Sequence, residues 1–263
     1  MSSTVETVNR NFYRSVFFRG CNLLGFVGVV IVNTLANALP INGLGTGELS
    51  DMYPNLFVPA GLTFSIWGVI YLLLAAFSIH QLRSESWVRD KIGPLFLLSC
   101  AANMGWIFAW HYKMVVLSLL VMCILFASLL LIYQRLGIAA PGASSAEKLF
   151  GYIPFGVYLG WISVAVIANV TAVLVDAGWS GFGISEVVWT VVVLLVGSGV
   201  GKMMVLKRND IFFGLVMVWA YAGIVLKRLS VEPVYLSVAI VAGLCAATLL
   251  VMVVVKAPRW FRT

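Results

Sequence analysis

The chain has 263 residues, 62% of them apolar and 10% charged, with a mean hydropathy of +1.02 and a formal charge of +7. A water-soluble domain carries about a quarter charged residues, so this composition excludes one and points to a bilayer. The positive charge calls for no nucleic acid. No DNA- or RNA-binding motif is present, and orientation against anionic headgroups accounts for the excess.

A spanning helix needs about 20 mostly apolar residues. In chain order the candidates are 23–41, 57–79, 93–111, 114–133, 149–175, 184–205, 211–226 and 234–255. The seventh is short for a span and reads equally as a re-entrant piece. Eight spans with both termini cytoplasmic leave only Lys113, Lys227 and Arg228 in outer loops, and put the other fourteen of the 17 basic residues inside. Dropping the seventh span would carry Lys256, Arg259 and Arg262 outside, so the positive-inside bias favours eight. The arginines before the first apolar run, with "ANA" at 36–38, also have the form of a secretory leader. Pro40 follows closely and argues for a retained first helix.

Chemistry-bearing patterns are sparse. Cys21, Cys100, Cys123 and Cys245 stand singly in or beside apolar runs, which suits small packing residues rather than a disulfide or metal framework. His80 and His111 fall near opposite membrane faces, too far apart to share one haem, and read as interfacial. No nucleotide-binding or hydrolase motif occurs, and no acid–base pair lies inside a span, so neither a catalytic nor a metal site is assigned.

Amides and aromatic rings do lie inside the spans. Asn33 and Asn37 are on the first, Asn103 on the third and Asn169 on the fifth. Buried amides in lipid need partners and generally face the bundle interior. Phe64, Trp67 and Tyr71 recur at helical spacing on the second span, as do Asn103, Trp106 and Trp110 on the third and Tyr158, Trp161, Ala165 and Asn169 on the fifth. Alternating helix direction brings these residues to one depth, from mid-membrane into the outer half. Trp87, Trp179 and Trp260 fall at predicted membrane edges, as belt residues do. The string "LLLIYQR", ending at Arg135, fits a proposed cholesterol-contact pattern.

These motifs resemble the tryptophan-rich sensory protein, or translocator protein, family (TspO). Pro54 and Pro59 match the spacing of its proline loop, and Trp67 and Tyr71 match the pair that opens its second helix. Asn103 and Trp106 match its N-x-x-W. "YLGWISVAVIAN", with Tyr158, Leu159, Trp161 and Asn169, matches its fifth helix. The resemblance covers roughly residues 20–175. Tyr53 stands in place of the family's loop lysine and Val58 in place of the first proline of its pair, and "NVTAVLVD" lacks the family's sterol motif.

The resulting expectation is an all-α polytopic membrane protein of about eight spans. A five-helix TspO-like unit occupies 1–177 and a three-helix extension 178–263, with "GWSGFGISE" as the nearest thing to a boundary. The resemblance implies a bacterial inner-membrane receptor or carrier for a flat hydrophobic ligand such as a tetrapyrrole. The expected ligand-binding residues are Asn37, Pro59, Phe64, Trp67, Tyr71, Asn103, Trp106, Tyr158, Trp161, Ala165 and Asn169. A bound tetrapyrrole or lipid is the one cofactor-like occupant implied; membrane lipids are expected partners, and homo-oligomerisation stays open. A porphyrin-degrading enzyme, resting on tryptophan redox or light, and a structural subunit without ligand are the alternatives.

Overall fold

The computed structural model describes residues 12–39, 41–83, 85–138 and 142–262. Eight long helices dominate, with no strand among the described residues: α1 (Val16–Ala38), α2 (Ile66–His80), α3 (Leu95–His111), α4 (Val115–Leu136), α5 (Ile153–Asp176), α6 (Glu186–Arg208), α7 (Ile211–Ser230) and α8 (Leu236–Arg262). Seven helical segments are long and apolar enough to cross a membrane, and α3 is an apolar helix of 17 residues, the lower limit for a span. The chain is an all-α polytopic membrane protein. The seventh helix, short on sequence grounds, runs for 20 residues and is among the better buried of the set. Arg10 lies outside the described residues.

Short connections make neighbouring helices antiparallel, so the bundle has two ends. The loop end carries residues 41–65, 112–114, 177–185 and 231–235; the terminal end carries 81–83, 85–94, 142–152 and 209–210. The starts of α1, α6 and α7 are capped by short polar side chains, which satisfy amides that have no partner inside the helix. Ser15 accepts from Phe18 N, Ser185 from Val188 N and Asp210 from Phe213 N. At the terminal end the guanidinium of fully buried Arg89 donates to the carbonyls of Gln81 and Arg83 just past α2, and pairs with Asp90. Arg14 pairs with the same carboxylate at 2.8 Å.

One apolar core runs through all eight helices, so 1–177 and 178–263 are packed together. The last three helices meet through small residues. A Cβ added to Gly214 would lie 2.5 Å from Val205 and 2.7 Å from Val253, and one added to Gly197 would lie 2.6 Å from the Tyr221 hydroxyl. Without a hydrophobic drive between helices in lipid, such close backbone approach supplies the packing. The Tyr221 hydroxyl donates to Leu194 O at 2.9 Å, which satisfies it away from water.

Three sequence expectations change here. The second span does not begin as a helix at 57: residues up to Ala60 are non-helical, and a 3₁₀ turn (Gly61–Ser65) precedes α2. Trp260, expected as a belt residue, is covered by protein: it is 6% exposed and packs edge-on against Phe212, with Lys148 near its ring. Tyr133 of "LLLIYQR" is 4% exposed and faces the bundle, so its ring is withheld from lipid. Trp179, by contrast, is 36% exposed beside exposed Phe182, as an edge residue should be.

Candidate functional site

Trp67 sits at the centre of an aromatic cluster. Its ring stacks on Tyr71 at 5.6 Å and on Trp106 at 6.5 Å, and it meets Tyr158 and Trp161 edge-to-face at 5.9 and 6.3 Å. Phe64 closes on Trp161 at 5.8 Å, and Trp106 continues the stack to Trp110. These are the offset and T-shaped arrangements that ring quadrupoles favour. Helical spacing sets the rings on one face each of α2, α3 and α5, and the packing of these helices brings those faces together.

The amides tie the same helices together. Asn33 donates to Asn103 Oδ1 at 2.7 Å, and Asn103 donates to the Tyr158 hydroxyl at 2.8 Å, linking α1, α3 and α5. Trp106 Nε1 donates to Asn169 Oδ1 at 3.0 Å, and Asn169 donates to Ser118 Oγ of α4 at 2.9 Å. A buried amide in lipid is tolerable because each is paired in this way.

Two cavities flank Trp67. The inner one, about 40 Å³, is bounded by Pro59, Trp106, Trp110, Trp161, Ala165 and Asn169. The other, about 270 Å³, lies between α1 and α2, against Asn33, Asn37, Ser65 and Tyr71. Thr46, Phe64 and Trp67 belong to both walls, so they form the partition. Two buried donors at these cavities lack partners among the described residues, Trp161 Nε1 at the first and the Tyr71 hydroxyl at the second. Buried polar groups are rarely left unsatisfied.

The sequence-derived site residues divide by role. Pro59, Phe64, Trp67, Trp106, Trp161, Ala165 and Asn169 line the inner cavity, and Asn37, Phe64, Trp67 and Tyr71 the outer one. Asn103 and Tyr158 line neither cavity; both are buried behind the rings and hold them through the amide chain. Asn37 is exposed, with its amide turned onto Asn33 O.

Sequence reasoning missed several contributors. Thr46, Ser50 and Trp110 complete the inner cavity, and Ser118 completes the Asn169 pair. His111, read as interfacial, is fully buried. Its Nδ1 lies 2.9 Å from Ile41 O, which can only accept, so Nδ1 carries a proton; Nε2 lies 3.2 Å from Thr46 Oγ1. This histidine fastens the loop over α3. Helix α7 fastens the other side: Ala60 N donates to Gly223 O at 3.0 Å, Trp219 Nε1 to Thr63 O at 2.8 Å, and Lys227 pairs with Asp51. Only glycine fits at 223, because any Cβ there would fall inside the Thr63 side chain. No motif marks these contacts in the sequence.

An eight-helix membrane bundle with an aromatic and amide chamber beneath a proline loop is the class this geometry defines. The chain matches the model of the TSPO-like protein family over residues 19–255, and it belongs to that family. The match reaches through α6 and α7 and most of α8, beyond the stretch where sequence motifs resemble the family. No curated protein and no solved structure matches the chain significantly.

Proposed function

We propose that this protein binds a flat hydrophobic ligand of the tetrapyrrole class between α1, α2, α3 and α5, as a receptor or carrier. The observation that carries this reading is the pair of unpartnered donors, Trp161 Nε1 and the Tyr71 hydroxyl, at cavities separated by Thr46, Phe64 and Trp67. Ligand pockets of drug size run to about 300–1,000 Å³. The inner cavity alone, at 40 Å³, is far too small. Rotation of Trp67 and Phe64 would join it to the 270 Å³ cavity and expose stacking faces on both sides. Ring faces would then supply apolar burial, while the two free donors orient an acceptor on the ligand.

In this reading residues 1–177 form the binding unit, and 178–263 set the loop's position from α7. The excess of basic residues on the terminal end supports an orientation with both termini in the cytoplasm of a bacterial inner membrane. Cysteine labelling at position 207 should then fail from outside, and labelling there would reverse the orientation.

The binding test is quenching of tryptophan emission by a porphyrin, with purified protein in detergent. Trp161→Ala removes both a stacking ring and the free donor, and should weaken binding about tenfold or more, since roughly 1.4 kcal/mol is a factor of ten. Trp179→Ala, at the exposed rim, should leave affinity unchanged. Equal affinities would mean the rings are packing alone.

A further inference from the structure

A third cavity of about 390 Å³ opens at the loop end, between residues 50–58 and the α7–α8 connection, outside the aromatic chamber. Arg228, in the last turn of α7, lines it and is only 6% exposed, yet its guanidinium makes no hydrogen bond or ion pair among the described residues, and its Nε is buried without a partner. A charge buried this deeply normally has a partner.

The carboxylates around it are already engaged. Asp51 pairs with Lys227, Glu186 accepts from the Tyr235 hydroxyl at 2.9 Å, and Glu232 accepts from Val234 N at 3.2 Å. Asp51, Glu186 and Tyr235 act on Arg228 through space, but it donates a hydrogen bond to none of them among the described residues, so its guanidinium donors stay open. The carbonyl end of α7 eases its burial but does not supply a counter-ion.

We propose that this cavity is a second ligand site, at which Arg228 receives the carboxylate of a small monoanionic organic acid. A planar guanidinium offers paired donors that match a carboxylate. The three acids of the wall outnumber the two bases, so added negative charge is repelled, and a dianion about twice as strongly as a monoanion. Tyr53, Leu56 and Pro233 give the cavity apolar surface for the body of the acid. The site makes no use of the chamber rings and stands apart from the tetrapyrrole reading.

The test follows the ¹⁹F line of 4-fluorobenzoate added to the full chain in detergent near neutral pH. Wild-type protein should broaden the line saturably. Arg228→Gln should reduce the effect at least fivefold, and Arg228→Lys should restore part of it. Trp161→Phe should leave it intact. Glu232→Gln lowers the repulsion without touching the guanidinium, and should tighten binding severalfold even if the Arg228 variants fold poorly. Added laurate that displaces the probe would identify the site as one for membrane-borne acids; laurate that does not would restrict it to soluble ones. No saturable broadening by the wild type, equal broadening in folded Arg228→Gln, no change in Glu232→Gln, or displacement by inorganic phosphate as readily as by benzoate would each overturn the proposal.

Discussion

The aromatic chamber and the α6–α8 cluster solve the same problem in opposite ways. In the chamber, large rings meet at centroid distances of 5.6 to 6.5 Å around Trp67, polar side chains bridge the helices, and space remains on both sides of one tryptophan. In the cluster, glycines let α6, α7 and α8 close on each other until an added methyl would clash. Ring-lined walls can pivot at modest cost, whereas interlocked backbones cannot. The difference assigns movement to the first region and position to the second. The contacts from Trp219, Gly223 and Lys227 to the loop fit this division: the rigid cluster holds the cover of the adaptable chamber.

The largest effect that would sharpen the contrast is on stability. Gly214→Val places branched carbon where Val205 and Val253 already sit, and should cost about 3 kcal/mol, the upper part of the range for overpacking. Thermal melts in detergent should show the loss, while the folded fraction keeps its porphyrin affinity. A silent Gly214→Val would mean the cluster is as yielding as the chamber.

Asp210 lies where the regions join at the terminal end. It caps α7, sits against Gly156 of α5, and is 2% exposed. Burial pushes its carboxyl up to about 6, while the Phe213 amide opposes the shift. A folded pKa above the unfolded value favours the protonated native state. Stability is then full below about pH 4 and falls as pH rises through about 6, by about 2 to 3 kcal/mol. Asp210→Asn keeps an acceptor for the cap and should flatten that part of the stability–pH curve. A slope that persists in the variant would place the titrating group elsewhere.

Much of this was legible in the sequence, and the remainder has physical reasons. Helical periodicity placed Trp67, Trp106, Trp161 and Asn169 on the inward faces of their helices because buried faces in a membrane repeat as they do in water. The start of α2 was misread because Leu56, Phe57 and Val58 are apolar yet belong to a buried loop, and hydropathy cannot tell a buried loop from a helix. Its amides are satisfied by the Asn55 side chain, which accepts from Phe57 N and Val58 N, a pairing no hydropathy window detects. The clamp from α7 was invisible for a different reason: Trp219 and Gly223 lie more than 150 positions from the loop they hold, as the Trp219–Thr63 separation of 156 shows, and carry no local signature. Trp260 looked like an edge residue by position alone, whereas the packing of Phe212 decides its burial.

The smallest effect is the most informative about what the chamber is for. Asn103→Leu keeps the volume but removes the middle of the chain from Asn33 to Tyr158. Asn33 retains its bond to Val29 O, so the Tyr158 hydroxyl is the group left stranded. Side-chain hydrogen bonds within membranes are worth about 0.6 kcal/mol each on average, so two of them predict a loss of about 1 kcal/mol. Tyr158 also meets Trp67 edge-to-face at 5.9 Å, and without its anchor that ring loses a fixed wall. Porphyrin binding should therefore weaken severalfold, and the emission of Trp67 should become more accessible to acrylamide, although the melting temperature barely moves. The opposite pattern, a melt shifted as far as in Gly214→Val with affinity untouched, would show that the amide chain serves only packing. The contrast between an adaptable chamber and a fixed cluster would then fail at its most sensitive point.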